Sequence, residues 1–137
     1  MELKSLITKE RVISVEYPDP ELEGFVIEVA YVPREELQKI RQKCLVTKFD
    51  KKTRQPAETV DDKLFLKLYT EKVIRGWKGL KLKYLQELLP VELGKADPNT
   101  ELEYTVDNAL ELMQNSTVFD TWLTGIINDI SFFNKNS

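Results

Sequence analysis

The stretch from residue 60 to residue 89 restricts this chain most. Apolar side chains recur at Val60, Leu64 and Leu68 and again at Phe65, Tyr69 and Val73, with Leu66, Ile74 and Trp77 widening the stripe. Steps of three and four place them on one side of a helix, so the spacing predicts an amphipathic helix over 60–76 with a broad buried face. Thr59 is positioned to cap it, and Asp61 and Asp62 fall in its first turn, where the helix dipole favours acids. Gly76 and Gly79 bracket Trp77, so the helix is expected to stop or bend there with the indole turned inward. Leu80, Leu82, Tyr84, Leu85, Leu88 and Leu89 then predict a second short helix over 80–89, ended by Pro90.

Upstream, Ile13, Val15 and Tyr17 alternate with polar residues, and so do Phe25, Ile27, Val29 and Tyr31. Pro18, Asp19, Pro20 and Gly24 separate the two runs, which reads as an antiparallel hairpin over 12–31. Pro33, Glu35 and Glu36 suit the first turn of a helix, and Leu37, Ile40, Cys44 and Leu45 carry its stripe over 34–46. Residues 47–58 lack helical periodicity. They read as an exposed basic loop or a short hairpin turning at Asp50-Lys51-Lys52-Thr53.

Downstream, residues 91–103 form a polar connection. Thr105 can cap a helix over 105–114, with Val106, Ala109, Leu110 and Met113 inward. Ser116 can cap the last helix, over 117–133, whose stripe is Phe119, Trp122, Leu123, Ile126, Ile127, Ile130 and Phe133. That stripe is either core or shared between core and an interface. The tail from Asn134 to Ser137 is expected to fray. The fold class read from these patterns is α+β, mainly helical: an N-terminal antiparallel strand pair followed by about five helices, in a single domain spanning 1–137.

Composition removes several function classes. The chain has no histidine and a single cysteine, Cys44, which excludes histidine-based triads, an internal disulfide and most zinc sites. Cys44 lies in an apolar stripe and reads as a small buried hydrophobe. The paired acids Glu35-Glu36 and Asp61-Asp62 sit in helix first turns, where the dipole accounts for them without catalysis. No catalytic residue, metal ligand or cofactor is expected, and the chain reads as a non-enzyme. The start of the chain lacks a signal peptide pattern, and no apolar run is long enough to span a membrane.

Charge is segregated. Residues 1–33 sum to −4, residues 34–83 to +8 and residues 84–137 to −7. Such blocks either cancel across a solvated surface or meet complementary surfaces of another molecule. Residues 39–54 hold seven cations and one acid but only one aromatic, Phe49, within an acidic chain of pI about 5.2. A nucleic-acid-binding regulator using this segment is a lesser alternative, because no recognition helix follows a short turn.

Three groups of residues carry a family resemblance. Residues 25–37, from Phe25 through Tyr31-Val32-Pro33-Arg34 to Leu37, resemble the strand, Tyr-x-Pro-Arg-x-x-Leu, helix opening of small phage and prophage proteins. Val73 to Leu80 is similar to their mid-chain Trp segment. Asp107 to Met113 and Phe119 to Leu123 are similar to their C-terminal helix pair. Together these resemble the tail assembly chaperones of long-tailed bacteriophages, over residues 25–133.

The resemblance implies a scaffold in the cytoplasm of the bacterial host. It would coat the tape measure protein, help recruit the tail-tube subunit and self-associate. Head–tail connectors and tail completion proteins are the alternatives within the same biology. A helical partner would be held by helix-in-groove binding. The candidate lining is Trp77, Leu80, Tyr84, Trp122 and Ile126, with Lys78, Lys81 and Lys83 at the rim.

Overall fold

The structure is a computed structural model describing residues 1–8 and 10–135; Lys9, Asn136 and Ser137 lie outside the described residues, and with the last two goes part of the expected frayed tail. Strand β1 (Val12–Glu16) pairs antiparallel with β2 (Val26–Ala30), Val15 opposite Ile27 and Ile13 opposite Val29. Their alternation decides which face is buried: Ile13, Val15, Phe25, Ile27 and Val29 point into the core, while Ser14, Glu16 and Glu28 stay in solvent. After β2 come helix α1 (Arg34–Lys43), a hairpin of β3 (Leu45–Asp50) and β4 (Gln55–Val60), helix α2 (Asp62–Val73) and strand β5 (Ile74–Lys78). Strand β5 returns to pair with the free edge of β2, giving a sheet in the order β1-β2-β5. Helices α3 (Val106–Asn115), α4 (Thr117–Ile127) and α5 (Ile130–Lys135) complete the chain.

This architecture overturns the expected fold class. The described chain is 46% helical and 22% strand, so helix does not dominate, and strands alternate with helices instead of preceding them. Four local causes account for the difference. First, α1 ends at Lys43, where the Cys44 N–H bonds the Arg41 and Gln42 carbonyls, and Leu45 and Val46 begin β3 instead of extending the helix. Second, of the two readings of residues 47–58 the hairpin holds and the irregular loop does not, which adds two strands between α1 and α2. The Asp50 carboxylate accepts the Lys52 N–H at 2.8 Å, and Arg54 closes the turn in the left-handed region at φ 56°.

Third, α2 gives way to strand at Ile74. A free strand edge on β2 offers backbone partners to Ile74–Lys78, and Gly76 is a poor helix former with its α-carbon facing Glu28. The cap of α2 is Asp61, whose carboxylate accepts the Leu64 N–H at 3.2 Å, while Thr59 is in β4. Fourth, the expected helix over 117–133 is two helices. Asp129 accepts the Phe132 N–H at 3.2 Å and the Ser131 hydroxyl at 2.8 Å, restarting the chain as α5. The segment expected as a helix over 80–89 is a tighter 3-10 turn over Leu82–Glu87. The Leu82 and Lys83 N–H groups bond the Thr100 and Pro98 carbonyls, and the Leu102 N–H bonds the Leu80 carbonyl, so residues 98–102 are tied to it.

One core joins these parts. Phe25, Ile27 and Val29 of the sheet meet Ala109, Leu112 and Met113 of α3 and Phe119, Leu123 and Ile127 of α4. Burying each large side chain contributes about 1.5–3 kcal/mol. Thr105 and Ser116 cap α3 and α4 by accepting the Asn108 N–H at 3.0 Å and the Phe119 N–H at 3.1 Å.

Candidate functional site

The eight residues proposed as a groove lining differ in how they are placed. Leu80 is fully buried and Tyr84 nearly so, and both belong to the core. The Tyr84 hydroxyl donates to the Glu23 carbonyl at 2.8 Å, tying the 3-10 turn to the loop before β2. Trp77 is partly buried in β5 and donates its indole N–H to the Leu102 carbonyl at 2.9 Å. It packs edge-on against Tyr104 at 5.1 Å and against Phe25 at 6.4 Å. Trp122, partly buried on α4, packs edge-on against Tyr17 at 4.8 Å.

The two tryptophans therefore stand at opposite ends of one aromatic chain that runs through Phe25 and Phe119, whose rings are 6.4 Å apart. Ile126 is partly buried beside it. Of the three rim lysines, Lys78 and Lys83 are exposed, and Lys81 and Lys83 lie over the Tyr84 ring at 5.8 and 5.9 Å. These contacts hold the fold together.

The acids and the thiol are equally occupied. Glu36 pairs with Lys39 and with Lys72 of α2, each at 3.5 Å, and Lys39 first among these holds its carboxyl below the usual range. Asp61 is the cap of α2. Cys44 is fully buried; burial, then the Asp61 charge, pushes its thiol up, which opposes nucleophilic reactivity. Among the described residues no three His, Cys, Asp or Glu side chains gather as a metal-binding set, and no helix is long and apolar enough to cross a membrane.

Apolar surface is exposed in two other places. The first is a notch of about 290 Å³ between the N-terminal segment and α5, lined by Leu6, Ile7, Tyr31, Ile130 and Phe133 with Glu10 and Arg11 beside them. Leu6, Ile7 and Ile130 are 61%, 63% and 50% exposed. The second is the β3–β4 hairpin, whose strands leave Leu45, Phe49 and Val60 41%, 66% and 36% exposed. Sequence reasoning missed both. The signals were the alternation of Leu45, Thr47 and Phe49, and the N-terminal Leu3, Leu6 and Ile7, which no buried stripe uses. No family model, curated protein or solved structure matches this chain.

Proposed function

We propose that this protein is a non-enzymatic assembly chaperone of long-tailed bacteriophages, acting in the host cytoplasm on a tape measure protein and on the recruitment of tail-tube subunits. The reading draws on the resemblance over residues 25–133. The observation that carries it is the apolar notch at Leu6, Ile7, Tyr31 and Ile130, with charged Glu10 and Arg11 next to it. A long helix with an unassembled apolar stripe needs such cover to stay in solution. A concave apolar site holds a helix by one or two anchoring side chains. Relative to the groove expected from sequence, the binding site moves from the Trp77 and Trp122 region to the meeting point of the chain's two ends.

Coexpression with the tape measure protein encoded beside it tests the reading. The tape measure protein is expected to become soluble and to copurify. Ile130→Glu is expected to weaken copurification at least ten-fold with the thermal midpoint unchanged, because Ile130 is half exposed. Equal solubility with and without this protein, and no complex, would overturn the proposal. A head–tail connector or tail completion role would then replace it.

A further inference from the structure

The β3–β4 hairpin is an arm. The two strands pack extensively only against each other, and both of their outer edges are unpaired. An isolated two-stranded hairpin is marginal in water, so a regular one that stays outside the core gains most from a second surface. Its register sorts the side chains. Leu45 lies opposite Val60 and Phe49 opposite Pro56, so these four share one face with Thr47 and Glu58. Lys51, Lys52 and Arg54 are at the tip and Lys48 is on the other face, all exposed, and none of the four is in an ion pair among the described residues. Pro56 removes a backbone donor from β4, which disfavours strand addition there and leaves the faces and the tip as the means of contact.

The chain also carries the matching surface. Between Lys95 and Lys135 there are seven acidic side chains and no basic one. Glu101 and Glu103 alternate outward from Leu102 and Tyr104, and Asp107 and Glu111 follow one turn apart on the exposed side of α3. None of these four acids is ion-paired among the described residues of the protomer. We infer that the hairpin is a docking arm whose apolar face and basic tip seat on the acidic 101–111 surface of a second copy of this chain. Two copies related by a two-fold axis satisfy both arms at once. The resemblance already implies self-association; the surface that carries it is the inference here, and it stands on charge complementarity and exposed apolar side chains within this chain.

A charge swap tests it, with mass read by light scattering. The native protein is expected to have roughly twice the protomer mass at about 0.1 M salt and to fall to the protomer by about 1 M, where the Debye length drops from about 10 Å to about 3 Å. One variant carries Lys51→Glu and Lys52→Glu, the other Glu103→Lys and Glu111→Lys. Each alone is expected to be monomeric, and an equimolar mixture is expected to regain the dimer, because every arm then meets an opposite charge. Phe49→Ser, in an otherwise native arm, is expected to weaken the dimer with folding unchanged.

If the acidic-surface variant does not fold, the arm variants still decide the matter. A native protein that is monomeric at low salt and high concentration overturns the inference. So does a dimer indifferent to the arm substitutions. Retention of a monomer on duplex DNA through Lys51 and Lys52 would assign the arm to nucleic acid instead.

Discussion

Gly79 is the position where one added methyl group tests the packing of the whole sheet. Its φ is +74°, and a β-carbon there would lie 2.0 Å from the Gly24 carbonyl oxygen and 3.3 Å from the Phe25 nitrogen. Gly24 has φ +86° with nothing within 4 Å of its own added β-carbon. The pair separates two costs. Alanine at either position meets the left-handed penalty of about 1–2 kcal/mol. Only alanine at 79 must also push two backbone segments apart, and such overpacking costs about 1–3 kcal/mol more.

Gly79→Ala is therefore expected to lose about 2–5 kcal/mol and Gly24→Ala about 1–2 kcal/mol. At about 3–4 °C per kcal/mol for a chain of this size, the midpoints should fall by roughly 6–20 °C and 3–8 °C. Thermal melts followed by circular dichroism, with urea titrations as a check on cooperativity, measure both. Equal losses for the two variants would refute the close approach of β5 and its turn to the Gly24 loop, and with it the positioning of Trp77 against Phe25.

Two further outcomes follow from buried polar groups. The Thr70 hydroxyl in α2 is buried with no hydrogen-bond partner among the described residues, so Thr70→Val is expected to raise stability by about 1 kcal/mol in urea unfolding; a loss would mean the hydroxyl is bonded. Burial raises the phenols of Tyr17, Tyr69 and Tyr104 above their usual 10.0, with Asp19 adding to the first and Asp120 to the second. At Tyr104 the Arg75 charge opposes part of that rise, and the neutral hydroxyl donates to the Ile74 carbonyl at 2.7 Å. Raised folded values contribute stability fully present below pH 10.0 and lost as pH rises through them, so the urea midpoint should fall from about pH 10 upward. Tyr104→Phe should remove part of that fall, and an unchanged alkaline profile in this variant would detach Tyr104 from it.

The sequence by itself determined the faces of β1 and β2, because a period of two leaves a strand no other way to bury Ile13, Val15, Ile27 and Val29. It also determined the starts of α3 and α4, since Thr105 and Ser116 cap through their own side chains within three residues. Only tertiary structure decided the rest. Ile74 to Lys78 carries apolar residues that fit a helix or a strand, and the open edge of β2 chose the strand. Asp129 divides the last helix through bonds to Ser131 and Phe132, while the period of its apolar stripe runs on unbroken. The candidate groove residues illustrate the same limit. Periodicity shows that Leu80, Tyr84 and Trp122 have apolar faces, but how open such a face is depends on what packs over it, and here the loop before β2, the 98–102 segment and Tyr17 meet them.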